Sequence, residues 1–436
     1  MADQDKALDP REQMEQDVLA AMSRPRLPYL AAVGVCALSV LMLFGLWGWQ
    51  ISQGLGVSGL MHPVKWGVYI TNFVFWVGIA HSGTLISAVL FLFRARFRTS
   101  FNRSAEAMTL IALSVAGLFP LIHLGRVFIF YYLLPYPSQR QLWPNFRSPL
   151  VWDVFAVTTY MIVSLIFFYV GLLPDLAIAR RRVKGWARHI YGFLSLGWRG
   201  TLGEWRHYNR LYMFLAAFAT PLVASVHSIV SWDFAVSIVP GWHTTIFAPY
   251  FVAGAIFSGT AMVMTLMIPT RRILGLEPYI SVDHFEAIAK ILLFTSLIVS
   301  YSYITETSLA FYHGNLFEME QFRYRSFGNY AVMYWIMILC NSILPLSLFV
   351  RRLRRNLKWL FVLSILVNVG MWIERFVIIV ASLARDYDPY AWGTYMPSLV
   401  EIGITVGSFG MFFLMFLLFL KTLPVLSMTE LKEHME

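Results

Sequence analysis

Charge is what this 436-residue sequence has least of: 34 Lys and Arg with 24 Asp and Glu make up only 13% of it, against about a quarter in an average soluble domain. That is too little to clothe a 50.0 kDa globule in water-facing side chains. A soluble enzyme is thereby excluded. Cysteine is nearly absent as well. Cys36 and Cys340 each stand alone in an apolar run, which excludes a disulfide framework, a cysteine-held zinc or iron–sulfur centre and a CxxCH haem attachment. What is abundant is apolar. Hydrophobic residues make up 58% of the chain and the mean hydropathy is +0.62, as expected of a surface that faces lipid.

Ten apolar segments reach the roughly 20 residues that a helix needs to cross a bilayer. They run 28–50, 66–93, 105–134, 150–173, 208–232, 245–268, 284–312, 330–350, 357–383 and 397–420. Residues 1–27 read as a polar tail, not a signal peptide, because acidic residues from Asp3 to Asp17 occupy the place of an apolar core. Residues 421–436 form a second tail. With the N-terminus taken as cytoplasmic, 24 basic residues fall on the cytoplasmic side. Only six, Lys65, Arg140, Arg147, Arg323, Arg325 and Arg385, fall on the other. The positive-inside rule then places both termini in the cytoplasm. The net charge of +10 is topological, so no nucleic-acid partner is expected and the medium is lipid.

One internal likeness is visible. Gly78-Ile79-Ala80-His81-Ser82-Gly83-Thr84 in span 2 resembles Gly254-Ala255-Ile256-Phe257-Ser258-Gly259-Thr260 in span 6. An even number of crossings separates the two, so they run in the same direction. The expected fold is an all-α polytopic membrane protein of about ten transmembrane helices. Two four-helix bundles, 66–232 and 245–383, form a parallel repeat, and 28–50 and 397–420 are peripheral. Shared small-residue packing accounts for the same likeness without duplication. Within the first bundle, 174–206 reads as a cytoplasmic linker carrying Arg180, Arg181, Arg182, Lys184 and Arg188 beside Trp186 and Trp198. A solvated loop, contact with an anionic leaflet and partner docking all fit it.

An ionisable side chain inside a bilayer costs at least a few kcal/mol and needs a partner or a purpose. In span 3, His123 and Arg126 are three apart and are expected on one helix face, just after Pro120. Asp153 opens span 4, and His227 and Asp233 close span 5. The orientation gathers all five in the outer half of the first bundle. The second bundle carries Glu306, Glu374 and Arg375, and Glu401 begins the last span; His81 lies nearer the midplane. Imidazole and carboxylate together accept the protons of a quinol's two hydroxyls as the ring is oxidised. Helix capping explains Asp153 and Asp233 equally, and a packing ion pair explains Glu374 with Arg375. His81, His123 and His227 stand one per span, without the pairing that holds stacked haems, and no metal site is expected.

Together these segments resemble the NrfD/PsrC family of quinone-interacting membrane subunits. The resemblance rests on His81-Ser82-Gly83-Thr84, on Pro120 to Arg126 with its His-Leu-Gly-Arg, on Val151-Trp152-Asp153, and on Ser225-Val226-His227 leading to Trp232-Asp233. It covers spans 2 to 9, and the ten spans extend it to the ActC branch found in bacterial alternative complex III. It implies a subunit of a quinol:cytochrome c or other quinol:electron-acceptor oxidoreductase in the bacterial cytoplasmic membrane. Such a subunit binds quinol, usually menaquinol, on the outer side and holds no redox centre. The implied partners are an iron–sulfur subunit, multihaem cytochrome c subunits and a second NrfD-like membrane subunit. By position, His123 and Asp153, with Arg126 beside them, match the quinol site. His81, His227, Asp233, Glu306, Glu374, Arg375 and Glu401 are candidates for a proton path. A secondary transporter and a non-catalytic, ActF-like membrane anchor are the competing readings.

Overall fold

The computed structural model describes residues 9–20, 22, 27–135 and 147–433. Asp3, Arg140 and the other remaining residues lie outside that set. Hydrocarbon offers the backbone no hydrogen-bond partner, so each apolar segment closes its own bonds as a helix. Ten helices are long and apolar enough to cross a membrane. They are α1 (Leu27–Gln53), α2 (Val68–Leu92), α3 (Asn102–His123), α4 (Pro149–Arg182), α5 (Leu202–Ala235), α6 (Phe247–Ile273), α7 (Val282–His313), α8 (Ala331–Phe349), α9 (Leu357–Ala381) and α10 (Leu399–Thr422). Shorter helices cover Pro10–Ala20, Trp186–Leu194, Leu316–Phe327 and Met428–Glu433, and no strand occurs among the described residues. The chain is a multi-pass, all-helical membrane protein.

Two segments differ from expectation. α3 stops at His123, not at 134, because Gly125 takes a left-handed φ of 71° that ends the helix. The following Val127–Leu133 is a separate short helical stretch. The polar 174–206 segment is largely helical, since α4 continues through Pro174 to Arg182. Its Asp175 is fully buried. Arg103 makes that burial tolerable: its guanidinium lies 2.9 Å from Asp175 and 2.9 Å from Glu106, and donates to the Gly171 carbonyl at 2.7 Å. The backbone N–H and hydroxyl of Thr429 complete the Asp175 carboxylate at 3.1 and 2.9 Å. Buried charges held this way are satisfied, although their removal from water cancels much of the gain.

The first and last described helices meet on one face. Lys432 of the last helix pairs with Glu15 of the first, and Arg182 reaches the same carboxylate at 3.2 Å. We call this the termini face and the opposite one the far face. α2 and α6 are the central helices. α2 packs on α3, α5, α6 and α9, while α6 packs on α5, α7 and α9. α1 and α10 lie against each other, with α10 touching α3.

The two similar motifs face each other across the α2–α6 contact. Gly78 lies beside Ala255 and Ser258, and Gly259 lies beside Ile79 and Ser82. Lipid tails give helices no hydrophobic reason to associate, so close van der Waals approach must supply it, and small residues permit that approach. A Cβ on Gly259 would stand 2.7 Å from the Ile79 carbonyl oxygen, whereas one on Gly34 would meet nothing within 4 Å. Gly259→Val should therefore destabilise the detergent-solubilised protein by about 1–3 kcal/mol, read as a lowered thermal midpoint, with Gly34→Val near neutral. Equal midpoints for the two variants would contradict this packing.

Candidate functional site

A cavity of about 410 Å³ opens at the far-face ends of α2 to α5, and His123, Asp153 and Asp233 all line it. The rest of the wall is apolar or aromatic, including Trp66, Phe73, Phe130 and Leu150. Each polar group is placed by a helix end. Pro149 starts α4, since proline lacks the N–H that the first turn would leave unused; Asp153 follows one turn later. Asp233 sits in the last turn of α5, and His123 is the last residue of α3.

The final turn of a helix leaves carbonyls without intrahelical partners. Here Gln50 supplies one, its amide donating to the Ile122 carbonyl at 2.7 Å. The Tyr69 hydroxyl in turn donates to the Gln50 side-chain oxygen. Gln50 is fully buried in an α1 that is otherwise mostly exposed, and it fixes the turn that carries His123. In the sequence it is only a lone amide at the end of an apolar segment.

Asp153 and Asp233 are 4% and 6% exposed. Neither carboxyl oxygen of either residue meets a donor among the described residues, nor does Nδ1 of His123 meet a partner. The two carboxyls are neighbours on the cavity wall, and such a pair attracts only when one of them carries a proton. Arg126 is not part of this group. It was expected on the His123 face of one helix; the Gly125 turn puts it beyond the helix end, where it is exposed and does not line the cavity.

His227 also stands elsewhere than expected. It lies six residues before Asp233, about 9 Å deeper along α5, and its ring packs on that of His81 with centroids 4.4 Å apart. Nδ1 of His81 bonds the Val77 carbonyl oxygen at 2.6 Å. Its Nε2 and both nitrogens of His227 are buried without a protein partner among the described residues. Tyr160 covers the other side of His81 at 5.1 Å between centroids and donates to the Ala80 carbonyl at 3.0 Å.

The remaining candidates are dispersed. Glu374 receives the Tyr303 hydroxyl and, at 3.3 Å, the Asn341 amide, with Arg375 3.1 Å away. The Arg375 guanidinium lies 4.2 Å over Phe251, a ring that also neighbours His227. A widened helical turn follows His81 at Leu85–Val89 and Glu374 at Val377–Ala381, and a third, Leu339–Ile343, contains Asn341, as at many functional positions in helices. Glu306 is held by Arg325 at 3.0 Å. Arg325, assigned above to an outer loop, is 3% exposed in the helix Leu316–Phe327. Glu401 closes a capping box with Ser398 and accepts from the Gly59 N–H at 2.7 Å and the Tyr395 hydroxyl at 2.7 Å. It ties two loops to α10. Among the described residues no group of three or more His, Cys, Asp or Glu is placed to hold a metal ion.

The class so defined is a polytopic helical membrane protein with a buried carboxyl pair and an imidazole around an apolar cavity at one membrane face. The chain belongs to the NrfD family: the family described as "Polysulphide reductase, NrfD" matches residues 56–385. It is 27% identical over 410 residues to a putative dimethyl sulfoxide reductase membrane subunit of Halobacterium salinarum, covering 86% of each chain. It is 24% identical to a selenate reductase subunit of Mesobacillus selenatarsenatis, over 55% of this chain and 54% of that one. A third relative, an Hdr-like menaquinol oxidoreductase integral membrane subunit of Archaeoglobus fulgidus, is 19% identical over 79% of this chain and 78% of its own.

Proposed function

We propose that this chain is the quinol-oxidising membrane subunit of an oxidoreductase complex, with its substrate in the Asp153–Asp233–His123 cavity. The observation that carries the reading is the unpartnered state of those polar atoms inside an otherwise apolar wall. A quinol has two hydroxyls to place and an apolar ring and tail to bury. Carboxyl neighbours in such a wall attract only with a proton between them, which leaves one carboxylate free to accept a hydroxyl proton. Nδ1 of His123 engages the other ring oxygen. Phe128 and Phe130 are exposed beside the cavity and give an isoprenoid tail an apolar way in from the lipid.

Oxidation releases two protons and two electrons per quinol. The protons go to Asp153 and onward past Asp233 to the far face. The electrons go to a partner iron–sulfur subunit, since the residues of this chain bind and take protons but offer no redox centre. The relatives' names, as subunits of reductases and of a menaquinol oxidoreductase, support menaquinol as the donor and a reductase as the acceptor. On the resemblance to the alternative complex III branch, multihaem cytochrome c subunits would take the electrons from the iron–sulfur subunit, and a second NrfD-like subunit would be a further membrane partner. The excess of basic residues on the termini face supports a cytoplasmic location for both ends. The cavity at one face, not at the midplane, argues against a transporter.

In the assembled complex, Asp153→Asn and His123→Ala should each lower quinol-dependent acceptor reduction by about 10²–10⁴-fold, the usual share of proton transfer in catalysis. Arg126→Ala should have little effect. Undiminished turnover in both Asp153 and His123 variants would overturn the assignment.

A second reading, proton translocation, is favoured by the unpartnered nitrogens of His81 and His227 and by Nη2 of Arg375 in the membrane interior. Proteoliposomes should then acidify by more than the protons of quinol oxidation, and His227→Leu should remove only the excess. No excess in the unmodified complex would reject translocation while leaving quinol oxidation standing.

A further inference from the structure

Between α4 and α5 lies the helix Trp186–Leu194, and its surface divides into three faces. At about 100° per residue, Ala187, Tyr191 and Leu194 fall within about 60° of one another. They turn inward onto the core, and Tyr191 is buried. Arg188, His189 and Gly192 make a second, mostly polar face. The third, Trp186, Ile190 and Phe193, is again about 60° wide and wholly apolar, yet Trp186 and Phe193 are 79% and 80% exposed. Leu196, in the turn that follows, is exposed as well. A contiguous apolar stripe left outward in this way marks a surface that meets something other than water.

The depth of the stripe decides what it meets. The Tyr191 hydroxyl donates at 2.7 Å to the carbonyl of Thr422, the last residue of α10. The 24 residues of α10 measure about 36 Å, little more than a hydrocarbon core of about 30 Å. Thr422 therefore marks the termini-face edge of that core. Tyr169 gives the same level independently. Its hydroxyl donates to the Leu194 carbonyl at 2.7 Å, and it lies about 30 Å along α4 from Pro149 at the far face. Arg180 secures the following turn, donating to the Ser195 hydroxyl at 3.2 Å and to the Trp198 carbonyl at 3.3 Å. The helix is thus held where hydrocarbon gives way to head groups.

Charge agrees with depth. Residues 183–206 contain one acidic side chain, Glu204, and its carboxylate is spent on the Thr201 and Arg199 N–H groups. Lys184, Arg188, Arg199 and Arg206 are exposed in the same segment. A soluble partner would dock above the head groups, and protein interfaces are poor in lysine. A basic amphipathic helix with Trp and Phe on its apolar face fits the membrane surface instead. We infer that the helix Trp186–Leu194 is an interfacial anchor seated in the termini-face leaflet, with Trp186, Ile190 and Phe193 among the acyl chains and Lys184 and Arg188 at acidic phosphates. The leaflet thereby fixes the termini-face ends of α4 and α5, the two helices whose far-face ends carry Asp153 and Asp233. The inference stands apart from the quinol reading.

The test is spin labelling of the full-length chain carrying Cys36→Ser and Cys340→Ala, with one new cysteine at a time, reconstituted in phosphatidylglycerol vesicles. Power saturation compares collisions with oxygen, which concentrates in lipid, and with a water-soluble nickel chelate. A label at Phe193→Cys should collide several-fold more with oxygen than with nickel, and one at His189→Cys should show the reverse. Trp186→Cys, on the same stripe, should repeat the Phe193 result and covers the case that one variant misfolds. Phosphatidylcholine vesicles should weaken the contrast, as should Lys184→Gln with Arg188→Gln in phosphatidylglycerol, since each cation near an acidic surface adds about fivefold in affinity. Nickel dominating at Phe193 and Trp186 would place the stripe in water and overturn the anchor. A contrast indifferent to head group and to both substitutions would overturn the phosphate contacts. Labels shielded from both reagents in the assembled complex would give the stripe to a partner subunit instead.

Discussion

Hydrocarbon supplies no hydrogen bonds, so every polar group between the two faces must find its partner within the protein. That constraint sorts the ionisable residues. Asp175 meets Arg103 and Thr429, Glu306 meets Arg325, and Glu401 meets a backbone N–H, a tyrosine and its own cap. Such groups are tied down and hold the fold together. Asp153 and Asp233 differ in kind. Among the buried carboxyls of the described residues, they are the two whose oxygens all lack a donor, and both nitrogens of the buried His227 lack a partner. Leaving such groups unpaired destabilises the fold by roughly 1–3 kcal/mol each, so their persistence points to a ligand or a proton.

The same medium shapes the scaffold. Without a hydrophobic drive between helices, α2 and α6 meet through Gly78, Gly259 and their small neighbours, and the other helices are arranged around that contact. Helix ends, not helix middles, then form the far-face cavity. This explains why its polar residues sit at the end of α3, the first turns of α4 and the last turn of α5. Gln50, reaching across from α1 to the Ile122 carbonyl, shows how a peripheral helix positions a residue it does not carry.

Much of this was legible in the residues. Helix number followed from apolar length, and the meeting of His123, Asp153 and Asp233 followed from counting crossings. What escaped is local. The apolar run from 105 to 134 hides a break, because one glycine, Gly125, in a left-handed turn outweighs the hydropathy around it, and Arg126 leaves the site with it. His227 was placed with Asp233 because both close one span, yet six residues of helix separate their depths. Arg325 reads as a loop cation until Glu306 draws it inside. The Arg103–Glu106 pair is visible as an i, i+3 spacing, but its third member, Asp175, comes from a segment that polarity alone assigns to the surface. The likeness of the α2 and α6 motifs has a packing cause that holds with or without duplication.

The most direct test of quinol binding is photolabelling of the purified complex with a short-tailed azidoquinone, with the adducts mapped by mass spectrometry. Adducts should fall on peptides carrying Trp66 to Phe73, Pro120 to Leu124 and Leu150 to Thr158, and should vanish when excess menaquinol analogue is added. Labelling confined to other helices, or adducts that survive competition, would contradict a quinol site at Asp153, Asp233 and His123.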